Sequence, residues 1–246
     1  MMKTTIKFVS ISVASAIASL AIFTGAALAA YTLLGDAIIV TGGNPGNAAQ
    51  LRSDATLPPS FGVARFSANT PWSSLSTLST DFNVTDDNCG GGSPRIQLAV
   101  DTDGDGLSNG NVHIAFGPSP TFTGCAPGWQ STGNLIGNED PGRYDYSAFG
   151  GSPFTTYSAA PAVVLSGTVL RASVVVDGSW SAAATGGDGE QTVLIDNVNI
   201  NGAVETFDLP ADKDACKDDG WQNLFRADGS PFENQGDCIQ FVNTGT

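Results

Sequence analysis

The chain has 246 residues, with 10 Lys and Arg against 24 Asp and Glu, giving a net charge of −14. A chain this acidic repels nucleic acid and anionic lipid, so both are poor partners for it. Its length allows one sizeable core, and the spread of its acids among Gly, Asn, Ser and Thr suits an extracellular domain.

Residues 1–29 read as an export signal. Lys3 and Lys7 form a basic start, an apolar stretch runs from Phe8 to Phe23, and Ala27–Leu28–Ala29 fits an A-x-A cleavage site. An uncleaved membrane anchor is the alternative, but Ser10, Ser12, Ser15 and Ser19 interrupt the stretch. Cleavage leaves a chain from Ala30 with eight Lys and Arg against 24 Asp and Glu, a net charge of −16. No later run approaches the ~20 apolar residues of a membrane helix, so no membrane insertion is expected after cleavage. The mature chain divides into a β domain over 30–209 and a tail over 210–246.

Short strands dominate the β domain, with candidates at 37–41, 48–53, 61–67 and 81–85. Residues 71–79 offer one short helical turn, with Pro71 at its first position and Leu75 and Leu78 three apart. Ile96, Leu98 and Val100 alternate with Arg95, Gln97 and Ala99. Val112, Ile114 and Phe116 alternate with Asn111, His113 and Ala115. Period two on both sides of a Gly-rich connection predicts a β-hairpin with one buried face. Residues 117–160 form a long Gly, Pro, Ser and Thr-rich connection. Residues 168–177 predict a strand with Leu170, Ala172, Val174 and Val176 on its apolar face. In 191–200 the apolar phase flips at Asp196–Asn197, which predicts a bulge. No amphipathic helix of three turns is evident. Many short strands imply an all-β, antiparallel β-sandwich or barrel.

Cys89, Cys125, Cys216 and Cys238 all follow the export signal, and an even count there favours two disulfides. Three connectivities are open. Sequential pairing is the simplest, and its second bridge makes residues 210–246 a disulfide-closed appendage around Trp221, Phe225, Phe232 and Phe241. Zinc is the alternative, but there is no C-x-x-C, and the sole histidine, His113, lacks a neighbouring ligand pair.

Asp101–Thr102–Asp103–Gly104–Asp105–Gly106 has the alternating carboxylates and turning glycine of a calcium loop. Asp101, Asp103 and Asp105 offer carboxylates, Leu107 its carbonyl and Asn109 its amide. The twelfth position is Val112, facing the core, where an EF-hand carries Glu. Calcium would therefore borrow ligands from Asp86, Asp87, Glu139 or Asp140. A polar Asp-Gly hairpin turn without metal fits the same residues.

Gly46–Ser53 and Leu194–Gly202 resemble the opening and closing strands of jelly-roll domains in the lectin and carbohydrate-binding group. There an early strand carries A-x-L and a late one reads DNV-x-I-x-G. The resemblance implies a jelly-roll sandwich. The run from Cys89 to Gly133 is similar to a set of secreted bacterial proteins. The tail, Cys216–Trp221 and Glu233–Phe241, resembles a terminal module of exported bacterial proteins, of the form CKxGGW…FxNQGDC. Asp219 replaces the first glycine of its GGW.

His113 lies mid-strand with no G-x-S-x-G nucleophile elbow, and a surface histidine is the plainer reading. Glycoside hydrolysis needs two facing carboxyl groups, and Glu139, Glu190, Glu205 and Glu233 all lie in turn-like or strand-edge contexts. Sugar binding needs exposed aromatics. Of Trp72, Trp129, Trp180 and Trp221, Trp129 is the ligand-facing candidate, together with Tyr144, Tyr146 and Tyr157. The expectation is a secreted, non-enzymatic protein that binds glycans or cell-envelope components, with calcium as its metal. The alternatives are a structural assembly protein and a glycan-active hydrolase or lyase.

Overall fold

The computed structural model describes residues 31–57, 60–179, 186–210, 212–226 and 230–245. The expected export signal and Trp180 lie outside them. Eleven antiparallel strands make the fold: β1 (Thr32–Thr41), β2 (Asn47–Asp54), β3 (Gly62–Pro71), β4 (Leu78–Asp86), β5 (Arg95–Asp101), β6 (Gly110–Ala115), β7 (Gln130–Ser131), β8 (Tyr144–Asp145), β9 (Thr168–Val176), β10 (Glu190–Ile200) and β11 (Ala203–Glu205). They follow the order β7-β4-β10-β2-β1-β3-β9-β5-β6-β8, with β11 beside β10.

This order curls into a jelly-roll β-sandwich because β1 serves two sheets. Its residues 32–35 pair with β3, and residues 36–41 pair with β2. Gly35 sits at the change of partner with φ 70°, and a Cβ there would collide with the Phe61 carbonyl. The chain then crosses between the sheets from β2 to β3, β3 to β4, β4 to β5, β6 to β7, β7 to β8 and β9 to β10. Alternate residues of each strand point inward and form one core. Leu51, Phe66, Leu98, Ile114, Val174 and Ile195 are all buried in it.

The β5–β6 hairpin has the expected phase, with Ile96 opposite Ile114 and Leu98 opposite Val112 inside. The flip in β10 is a bulge at Asn197, φ 50°, where the pairing with β4 shifts register. Three local expectations need correction. Pro71 does not open a helix, because it still pairs with Thr168 in the sheet. The helical turn is a 3₁₀ turn over Trp72–Ser74, and Leu78 belongs to β4. Leu170 is not in the core phase of β9, because the register slips between Ala99 and Val100 and Val169 takes the inward position. The third is in the tail.

A short helix, α1 (Ala162–Leu165), leads into β9, and the tail carries α2 (Gln235–Thr244). The missed signal for α2 is Asn234, whose side chain accepts from the Asp237 amide, followed by Cys238, Phe241 and Val242 at helical spacing and Gly245 at φ 74°. Disulfides join Cys89 to Cys125 and Cys216 to Cys238. The second closes a small cluster with Phe232, against which Trp221 and Phe241 pack. Phe225 does not join that cluster. It is buried in the main core, 5.0 Å from the Tyr31 ring, and ties the tail to the sandwich.

Outside the sheet bonds, Arg52 on β2 fastens three strands. Its Nε donates to Glu190 Oε1 at 2.6 Å, Nη1 to Asp36 at 3.1 Å and Nη2 to Asp54 at 2.9 Å. Glu205 on β11 is treated differently. It is buried, and desolvation lifts its carboxyl from 4.5 to about 7. Below pH 4.5 it is protonated in the folded and unfolded chain alike. As pH rises toward 7 only the unfolded chain gives up the proton, so stability falls across that window. Glu205→Gln is expected to flatten thermal stability between pH 4.5 and 7 and to stabilise the protein at pH 8 by on the order of 2 kcal/mol. An unchanged pH slope in calorimetry would contradict this.

Candidate functional site

The outer face of the β3-β9-β5-β6-β8 sheet carries an ordered polar row. Arg65 lies opposite Ser173, Ser173 opposite Gln97, Gln97 opposite His113 and His113 opposite Asp145. Each strand thus supplies one hydrogen-bonding side chain to a line across the sheet. The line exists because the inward positions of these strands are apolar, which leaves the alternate positions free for polar residues. Small residues such as Ala99 and Ser173 are shielded between longer ones, so the face is ridged rather than flat.

At the β8 end the row opens into a cleft of about 440 Å³, lined by Arg95, His113, Thr121, Arg143, Asp145 and Phe154, among others. Arg143 builds its wall. The guanidinium is almost fully buried, donates to the Ala115 carbonyl at 2.8 Å and the Gly117 carbonyl at 3.4 Å, and pairs with Asp140 at 2.6 Å. It also lies 4.7 Å from the Phe122 ring centre. These bonds and the Cys89–Cys125 bridge hold the 117–126 segment against the sheet. On its other side is a second cleft of about 360 Å³, floored by Phe82 and Phe116.

Arg95 is locked by two 2.6 Å bonds to Asp177. Burial, together with the Arg95 charge, holds His113 below the usual imidazole range, against the opposite pull of Asp145 and Asp177. His113 is therefore neutral at pH 7 and presents both a donor and an acceptor. Phe154 is 79% exposed at the cleft rim, with φ 52°, a backbone region that bulky side chains rarely enter. Sequence reasoning passed over it. Its signal is an apolar ring placed directly after the Gly150–Gly151–Ser152–Pro153 turn.

The expected aromatic set is largely internal. Tyr144 pairs with Ile114 across β6, which puts its ring in the core phase. Tyr144 and Tyr146 are both fully buried and stack 5.8 Å apart, and burial raises both phenols well above their usual range. Their hydroxyls donate to the carbonyls of Leu135 and Tyr157. Neither can meet a ligand from outside. Tyr157 is half-buried and stacked on the buried Trp72, 5.8 Å away. Trp129 is half-buried just before β7, and Trp221 packs on the tail cluster.

The acidic loop sits at the tip of the β5–β6 hairpin, and carboxylate oxygens of Asp101, Asp103 and Asp105 lie within 4.8 Å of one another. Such a group could hold a metal ion. Asp101 is nearly buried and accepts from the amides of Asp103, Gly104 and Gly106 at 3.1, 2.7 and 2.8 Å, bonds that lower its pKa. Asp103 and Asp105 are exposed. The Leu107 amide donates to Asp105 at 2.7 Å. Asn109 is placed differently from expectation. Its oxygen accepts from the Thr102 amide and hydroxyl, and its amide nitrogen donates to Asp103 at 3.1 Å. It braces the loop rather than offering the cluster an oxygen. Two of the proposed borrowed ligands are also engaged elsewhere. Asp140 holds Arg143, and Glu139 accepts from the Ser158 amide and hydroxyl.

No protein-family model and no curated protein matches this chain. Solved structures similar to it include the following two. A family 11 carbohydrate-binding module of the cellulosomal cellulase Lic26A-Cel5E of Clostridium thermocellum shares 12% identity over 71% of this chain and 88% of that one, with a TM-score of 0.37. An exo-beta-agarase shares 17% identity over 71% of this chain, with a TM-score of 0.33, and this chain covers 23% of its length.

His113 is the sole histidine, so its ring protons can be followed by NMR without overlap. The titration midpoint is expected below 6.5, and Arg95→Gln is expected to raise it by removing the nearby positive charge. A native midpoint at or above 6.5 would place the imidazole in open solvent.

Proposed function

We propose that this protein is a secreted, non-catalytic glycan-binding β-sandwich whose ligand lies along the polar row and ends in the cleft beside Phe154. The row carries the reading. Five strands spaced ~4.8 Å apart span roughly 19 Å, and four of them, through Arg65, Gln97, His113 and Asp145, offer a donor or acceptor of different chemistry. A polyhydroxylated chain needs such a series of fixed hydrogen-bonding groups, with an exposed ring against which a sugar can pack. Two disulfides support an oxidising compartment. Among the described residues lining the cleft, Asp145 is the one carboxylate, whereas glycoside hydrolysis uses two. Binding without turnover is therefore the better match.

Gln97→Ala with His113→Ala is expected to weaken binding to a responsive polysaccharide about tenfold in affinity electrophoresis, because each lost hydrogen bond is worth ~0.5–1.5 kcal/mol. Retained affinity in the double variant would move the ligand off this face. Release of reducing sugar from the bound polymer would replace binding with catalysis.

In the same reading calcium at Asp101, Asp103 and Asp105 is structural and cancels repulsion at the hairpin tip. A weak extracellular site, with Kd ~10⁻⁴–10⁻³ M, gives a rise in melting temperature of roughly 2–5 °C between excess EDTA and ~5 mM calcium. Asp103→Asn with Asp105→Asn is expected to abolish that rise. A rise that persists in the double variant assigns the ion to another site.

A further inference from the structure

The positive charge of this acidic chain is not evenly distributed. Six arginines occur, at 52, 65, 95, 143, 171 and 226, and four of them, Arg65, Arg95, Arg143 and Arg171, lie on or rim the one outer sheet face that bears the polar row. Arg95 and Arg143 are consumed by Asp177 and Asp140. Arg52 and Arg226 are likewise consumed, by Glu190 with Asp36 and Asp54, and by Asp237.

Arg65 and Arg171 are different. Neither has a carboxylate or hydrogen-bond partner among the described residues. Arg65 is exposed and Arg171 is half-buried. Arg65 pairs with Ser173 and Arg171 with Ser67, so the two guanidinium side chains are diagonal neighbours on adjacent strands of the same face. Diagonal positions of this kind lie ~7–8 Å apart, within joint reach of one ligand. With carboxylates outnumbering cations more than two to one, two adjacent guanidinium groups left without a partner are set for an external anion. Of the face's own carboxylates, Asp145 and Asp177 lie at the far end of the row beside His113 and Arg95. Asp101 lies diagonal to Arg171, two residues beyond its partner Ala99, but its oxygens are taken up by three amides of the hairpin tip and it makes no ion pair with Arg171. Acids elsewhere on the surface act weakly, because the screening length is ~8 Å at physiological ionic strength.

From this geometry, and resting on the glycan reading above, we infer that the ligand is an anionic polysaccharide, with a carboxylate or sulfate group of one sugar held by Arg65 and Arg171 and neutral hydroxyls of its neighbours met by Gln97 and His113. Guanidinium forks match both carboxylate and sulfate, so the two sources share one chemistry. A nucleic acid is disfavoured, since duplex or single-strand binding draws on a run of backbone cations that this face does not have.

The test is a binding series on the intact protein with polygalacturonate, dextran sulfate, neutral dextran and single-stranded DNA, for the native chain and for Arg65→Gln with Arg171→Gln. Both positions lie on the outer face, and circular dichroism and melting temperature confirm that the variant folds. The expected result is binding to one or both anionic glycans, at least tenfold tighter than to dextran, weakened by 0.5 M salt and reduced at least tenfold in the variant. Preference between polygalacturonate and dextran sulfate identifies the anion. Equal binding to neutral and anionic glycans, unchanged in the variant, overturns this inference and leaves the glycan reading intact. Binding to DNA at least as tight as to either glycan overturns it in favour of a general polyanion site. No binding to any glycan overturns both.

Discussion

β1 hydrogen-bonds to β3 through residues 32–35 and to β2 through residues 36–41. The two sheets of the sandwich are therefore one continuous, strongly twisted ladder that folds back on itself at Gly35. Phe61 closes the corner, its carbonyl accepting from the Asp36 amide at 2.8 Å. Once the inner faces meet, every outward position on β3, β9, β5, β6 and β8 is committed to the same exterior. A polar row that crosses five strands needs this alignment. A one-residue slip in β5 or β9 would turn Gln97 or Ser173 into the core and break the line. The bulge near Leu170 confines the slip that does occur to the far end of β9, beyond Ser173 and its neighbours.

The same outward face holds Arg65 and Arg171, which make no ion pair among the described residues. Other arginines are spent on structure. Arg52 joins β1, β2 and β10, Arg143 props the cleft wall, and Arg226 fastens α2 through Asp237 and lies 4.8 Å from the Phe232 ring centre. Where an acid is buried without a cation, as at Glu205 and Asp196, burial raises its pKa. Asp196 also accepts from the Asn44 and Asn197 amides at 2.7 and 2.8 Å, bonds that oppose the rise. Against that background, outward-facing polar side chains held in register across a sheet are the feature of the fold least explained by stability.

Much of the architecture was legible because period-two alternation reports burial directly. Ile96, Leu98 and Val100 face the core, as do Val112, Ile114 and Phe116, and the phase flip at Asp196–Asn197 marks a real bulge. Features set by tertiary context were not legible. Leu170 looks like a core residue until its partner strand slips, and Phe225 looks like a tail residue until Tyr31 receives it. Two of the four aromatics expected to face a ligand are internal for a similar reason. Tyr144 and Tyr146 sit in a Gly-rich stretch that reads as an exposed loop, yet one forms a two-residue edge strand and both rings fill the core. The acidic loop was visible from spacing alone, but the role of Asn109 as a brace depends on Thr102, whose amide and hydroxyl lie within reach only after the turn closes.

The acidic tip and the polar row are parts of a single hairpin. β5 carries Gln97 and runs into Asp101, and β6 begins at Gly110 and carries His113 three residues later. The Asn109 amide donates to the Val100 carbonyl, so the last rung of the ladder closes immediately beneath the loop. Repulsion among three carboxylates at that point acts on the rung, and the three amide bonds to Asp101 counter it from within the backbone. Charge neutralisation at the tip would therefore stiffen the two strands that present the centre of the row, without any contact between the ion and a ligand. Only the ordering of the hairpin would connect the two sites, which places any coupling in the entropy of the free protein rather than in a shared contact.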